Sequence, residues 1–319
     1  MSEKLRLRYF PISFFSVILG MAGFTIAFQR TETALNASFL LSNGFLIFTV
    51  LLFAVFILFY LMKMINYFPE VLAEFRNPLK LSFFPTTSIS LLLLSILFLT
   101  IAPPVSKILW MIGSAAQLLF TVKIITIWIH HDKFEINHMN PGWFIPAVGN
   151  LLVPVSGVAH FPPEISWFFY SIGIMFWGIL LVIFINRIIF HSPLPERLLP
   201  TLFILIAPPA IGFVSYVRLA GSIDAFAYIL YYFALFMFIL LFTQIRLFSR
   251  IRFYLSWWAY SFPLAAITIA SFLMHHETGK PFFSYAAYAL FAVLSLAIAG
   301  LLFKTLISVI KKEICIAED

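Results

Sequence analysis

Ser16 and Gly20, Thr87, Gly149, Ala210 and Gly212, and Ser261 and Ala266 stand in five separate apolar stretches of this chain. Each of those stretches also carries proline: Pro11, Pro85, Pro146 with Pro154, Pro200 with Pro208 and Pro209, and Pro263. Hydroxyls and backbone N–H groups freed near a proline can replace part of an ion's hydration, while Gly and Ala leave it room to pass. The chemistry on offer is coordination rather than bond making. Asp, Glu and Arg are missing from the interiors of these stretches, whereas cation pathways and proton-coupled carriers place carboxylates at membrane depth. An anion in a largely uncharged passage, closed by steric blockage or dewetting, fits this residue set best. The same small residues also let helices pack closely, and that reading stands beside the first.

Other chemistry finds little support. Lys123, the one ionisable side chain expected inside a span, is near enough to an end to snorkel. His130, His131 and His138 with Asp132 and Glu135 form one polar group, and His275, His276 and Glu277 another, on opposite membrane faces. Neighbouring histidines do not share a helix face, so both groups read as interfacial loops rather than metal sites. The lone Cys315 excludes an intrachain disulfide. With no Gly-rich phosphate loop and no nucleophile and base pair, neither an enzyme nor a bound cofactor is expected. Phe262, followed by Pro263 and about 15 Å deep at ~1.5 Å per residue, could close a passage; on the residues alone, one phenylalanine among 40 reads more readily as core packing.

The elements that hold these residues are membrane helices. The chain is 62% hydrophobic and 10% charged, and runs of about 20 apolar residues cross a bilayer core. Ten spans are expected, at 10–28, 37–62, 81–101, 108–129, 143–158, 165–186, 198–217, 225–245, 253–274 and 282–303. Short outer turns make them five hairpins (10–62, 81–129, 143–186, 198–245, 253–303) in one transmembrane domain. Prolines inside spans fall in the odd-numbered ones, each of which holds an apolar residue followed by proline, so a weak five-fold repeat is present. Odd helices, kinked and rich in small residues, are expected to line a pore, and the uniformly apolar even helices to face lipid. With both termini cytoplasmic, Arg30, Lys107, Arg218 and Lys280 face out and the other Lys and Arg residues face in, as basic residues prefer. The net charge of +7 is then a topology signal and gives no support for nucleic-acid binding.

The ten-span plan, Phe14-Phe15-Ser16-Val17-Ile18-Leu19-Gly20-Met21-Ala22-Gly23, Asn140-Pro141-Gly142-Trp143-Phe144-Ile145-Pro146 and Tyr260-Ser261-Phe262-Pro263-Leu264-Ala265-Ala266 together carry a resemblance. Over essentially its whole length the chain resembles the family of bacterial tellurite-resistance proteins, plant slow anion channels, and dicarboxylate and sulfite transporters. The resemblance implies a gated anion channel in the bacterial inner membrane, a homotrimer whose subunits each hold a pore occluded by Phe262. Chloride, nitrate and tellurite are the expected ions, and the alternative is a secondary transporter exporting tellurite, sulfite or dicarboxylates. Phosphorylation control of the plant kind is not expected.

Overall fold

The computed structural model describes residues 3–130 and 134–315. His131 and Asp132 of the first polar group lie outside the described residues. Nine helices long and apolar enough to cross a membrane are present among those described. With a tenth, broken segment they are labelled α1 (Ile12–Ala34), α2 (Leu40–Asn66), α3 (Leu81–Phe98), α4 (Pro103–His130), α5 (141–157), α6 (Pro163–Phe190), α7 (Glu196–Ala220), α8 (Ala225–Phe242), α9 (Leu255–Thr278) and α10 (Pro281–Ile310).

Burial separates the helices into two classes. The apolar windows of α1, α3, α7 and α9 are 72–78% buried, whereas those of α2, α4, α6, α8 and α10 are 17–33% buried. The inner helices close a ring, with α1 against α3, α3 against α5, α5 against α7, α7 against α9 and α9 back against α1. Each even helix packs on the odd helix before it. Its remaining side chains, such as Leu119, Val182, Ile229 and Leu296, are exposed in the way lipid-facing residues are.

The prolines act at a change of helix type. In α1, α3, α7 and α9 the chain starts in 3₁₀ form, at Ile12–Phe14, Leu81–Phe83, Glu196–Ile206 and Leu255–Tyr260; it passes to α-helix beside proline in α3, α7 and α9, while in α1 Pro11 precedes the 3₁₀ turn. Pro208 and Pro209 open the α-helical part of α7, and Pro263 lies in the first turn of that of α9. A missing N–H costs little in a first turn, where no intrahelical acceptor is in reach. At the opposite ends, Gly221 and Gly279 take φ of +71° and +67°, which lets the chain leave α7 and α9 through left-handed caps and turn straight into α8 and α10.

The fifth segment is a succession of short pieces: Pro141–Trp143 (3₁₀), Phe144–Val148 (α), Gly149–Leu152 (3₁₀) and Val153–Gly157 (α). Interrupting the helix frees carbonyls that lipid could not satisfy. Helix α4 and the segment's own Asn150 supply donors. Gln117 Nε2 and Thr121 Oγ1 both donate to Pro146 O, at 2.8 and 2.6 Å, and Asn150 Nδ2 donates to Ala147 O at 2.7 Å. Gln117 Oε1 in turn accepts from Ser88 Oγ of α3 at 2.7 Å.

Candidate functional site

The 3₁₀ starts of the inner helices converge around two adjoining cavities. The deeper one, of about 80 Å³, is lined by Ser16 and Leu19 of α1, Phe83 and Ile89 of α3, and Phe144, Ile145, Val148, Gly149 and Leu152 of α5. Ile204, Ala207, Pro208 and Ile211 of α7 and Trp258, Ala259, Phe262 and Pro263 of α9 complete the wall. Every lining residue belongs to an odd helix. The wall is apolar and aromatic apart from Ser16. Trp258 is held by its Nε1, which donates to Thr305 Oγ1 of α10 at 3.0 Å.

A larger cavity of about 370 Å³ adjoins it and shares Ser16, Phe83 and Ala259 with it. This vestibule lies at the end of the bundle that carries both termini, since Tyr9 and Glu313 to Cys315 are on its wall. Ser13, Thr201 and Ser256 give it hydroxyls, Lys80 and Arg197 give it cations, and Glu74 and Glu313 give it carboxylates.

The expected lining residues divide in two. Ser16, Gly149, Phe262 and Pro263 meet on the wall of the deeper cavity. Gly20, Thr87, Ala210, Gly212, Ser261 and Ala266 are not on that wall. Gly20 and Ser261 face each other, so that a Cβ at Gly20 would collide with Ser261 Oγ and come 2.9 Å from Trp258. Thr87 Oγ1 donates to Phe84 O at 2.9 Å. Gly212 O accepts from Tyr170 Oη at 3.3 Å, across to α6. Ala210 and Ala266 are fully buried.

Several charged residues escaped the sequence reading because the helices run on past the expected spans. Lys63 lies in the last turn of α2 and is buried against Glu74, which sits on a short helix, Phe68–Arg76, between α2 and α3. Arg187, buried in the last turn of α6, is a second. The signal available was the amphipathic stretch 68–76 placed after the apolar run of α2. Lys123 is exposed on α4. His130, His138, His275 and His276 each bond locally, to Thr126 O, Glu135 N, Lys280 O and Glu277 Oε1.

Known proteins bear on this arrangement. The family model described as "Voltage-dependent anion channel" (SLAC1) matches residues 9–306. The S-type anion channel SLAH3 of Arabidopsis thaliana is 28% identical over 313 residues, 94% of this chain but 48% of the plant protein, so the chain spans about half of that relative. The tellurite resistance protein TehA homolog of Haemophilus influenzae is 27% identical over 269 residues, covering 83% of this chain and 81% of its own. An uncharacterized transporter of Methanocaldococcus jannaschii is 27% identical over 291 residues, 84% and 85% of the two chains. A ring of five buried helices around an aromatic neck, inside five lipid-facing ones, is thus found in a chain that belongs to the SLAC1 voltage-dependent anion channel family, as a multi-pass membrane protein.

Proposed function

We propose that the chain is a gated anion channel in which Phe262 occludes the passage and Pro263 sets the backbone beside it. One observation carries the reading: the neck is walled only by the inner helices, and Phe262 stands on that wall beside Trp258 and Phe144. An apolar, aromatic neck strips water from an ion, so passage waits on removal of the ring. The hydroxyls of Ser13, Ser16 and Thr201 and the cations Lys80 and Arg197 favour anions in the vestibule that leads to it. Small inorganic anions such as chloride and nitrate are the substrates, and a tellurite phenotype would follow from passage of that oxyanion. The channel forms a single transmembrane domain, assembles as a homotrimer, and sits in the bacterial inner membrane with both termini and the vestibule cytoplasmic. It carries out no catalysis.

Purified protein in planar bilayers tests this. Wild type should be nearly silent and Phe262→Ala should conduct strongly, with a reversal potential that follows the chloride gradient. Saturating radiolabelled anion uptake without current in either protein would make it a carrier and leave Phe262 a packing residue.

A further inference from the structure

Glu74 poses a problem for an anion path. Glu74 is on the vestibule wall, where its negative charge would oppose the pull of Lys80 and Arg197 on anions. Behind it stands Lys63, whose Nζ is 2.8 Å from Glu74 Oε2, with side chains 2% and 8% exposed respectively. Tyr60 Oη donates to the same oxygen at 3.2 Å, and Ile12 N donates to Glu74 Oε1 at 3.4 Å. Lys63 Nζ also donates to Phe10 O at 2.8 Å. The pair therefore grips the backbone on both sides of Pro11, by the carbonyl before it and the N–H after it, where α1 begins its 3₁₀ turn.

A buried ion pair is a poor device for stability, because apolar side chains of equal size would do as well or better. Its placement makes sense for charge. Among the described residues on the vestibule wall, the cations Lys80 and Arg197 are matched by the carboxylates Glu74 and Glu313. Lys63 tips that balance to positive without itself lining the cavity. Pro11, Ile12, Ser13 and Ser16, all just downstream of the gripped carbonyl, are on the wall.

We propose that Lys63 is a selectivity-determining positioning residue: it cancels Glu74 toward passing anions and, with it, holds the Pro11 turn that aims Ser13 and Ser16 at the path. The inference rests on the anion-channel reading. Glu74 is kept for the Ile12 N–H, and Lys63 makes keeping it compatible with anion flow.

The test compares reversal potentials in a potassium chloride gradient for Phe262→Ala and for the same variant carrying Lys63→Met, Lys63→Arg, Glu74→Gln, or Lys63→Met with Glu74→Gln. Lys63→Met should lower the chloride to potassium permeability ratio about tenfold, the scale on which one uncompensated charge changes local ion concentration at a mouth. Lys63→Arg should keep the ratio, Glu74→Gln should hold or raise it, and the charge-free double variant should return to within about twofold of the parent. A purely structural role would lower current in all variants without moving the ratio, and would overturn the inference. So would a fall in the ratio with Glu74→Gln, which reads out even if Lys63→Met fails to assemble. A parent that passes no anions overturns the channel reading and this inference together; an anion-selective parent indifferent to Lys63 overturns this inference alone.

Discussion

Gly23 of α1 lies directly against Phe262 of α9: a Cβ at position 23 would stand 3.2 Å from Phe262 Cδ2 and 2.9 Å from the Ala265 Cβ. The Phe262 ring on the cavity wall is therefore backed by bare glycine, and any side chain there must move either the ring or the helix.

Gly23→Ala should overpack this contact and cost about 1–3 kcal/mol, read as a lower thermal midpoint of the purified protein in detergent. Removing the ring relieves part of the clash, so Gly23→Ala and Phe262→Ala should be non-additive, coupled by roughly 0.5–1.5 kcal/mol. Additive losses would mean that the two residues do not touch.

Gln117 and Thr121 share the Pro146 carbonyl, so either one alone leaves it satisfied by the other. Gln117→Leu should cost about 1–3 kcal/mol, and adding Thr121→Val should cost more than its effect alone, because the second loss leaves the acceptor only the long 3.4 Å contact from Asn150 Nδ2. Gly149→Ala should resemble Gln117→Leu, since its Cβ would stand 2.5 Å from Gln117 Nε2. Thermal midpoints of the three variants and the double variant check this.

Cys315, on the vestibule wall beyond α10, has its thiol pushed up from the ordinary 9.0 to about 11, chiefly by burial, with Arg6 and Lys63 pulling weakly the other way. A two-unit rise leaves roughly a hundredfold less thiolate at neutral pH, so alkylation at pH 7.5 should be about that much slower than for a free cysteine. The rate should climb with pH through 11. Rapid labelling at pH 7.5 would show that the tail does not rest in the vestibule mouth.

His160, in the turn between α5 and α6, is the end of a serine chain. Ser106 Oγ donates to Ser95 O at 2.7 Å and so accepts from His160 Nε2 at 2.8 Å, while Ser95 and Ser156 lie 3.0 Å apart. Burial, and after it Lys107, lower the imidazole below its ordinary 6.5. A depressed folded value means that the unfolded chain binds the proton more readily, so this contribution is full above about pH 6.5 and is lost as pH falls below it. The thermal midpoint of wild type should drop more steeply from pH 7 to 5 than that of His160→Gln. Parallel curves would remove His160 from the acid limb.

The ring of inner helices was legible from a simple rule: proline and small residues in alternate apolar stretches. It holds because an inner helix needs close neighbours and an outer one only needs to be apolar. The wall of the neck was less legible. Ser16 and Gly149 share it with Phe262, while Gly20 and Ser261 turn to each other, because a small residue serves a helix contact as readily as a passage and residue type cannot tell the two apart. Lys63 and Glu74 were missed for another reason. Each looks like an ordinary charge at a membrane edge, and only the short helix Phe68–Arg76 folding back on α2 turns them into a buried pair.

The broken fifth segment has a consequence for how the protein is made. A stretch whose carbonyls need outside donors cannot rest alone in lipid as a finished helix can. Two of its donors, Gln117 and Thr121, precede it in the chain, so they are synthesised before the carbonyl that needs them. The segment then enters as a partner of α4 rather than on its own hydrophobicity. The expected outcome is an effect on assembly: Gln117→Leu with Thr121→Val should lower the yield of membrane-integrated protein.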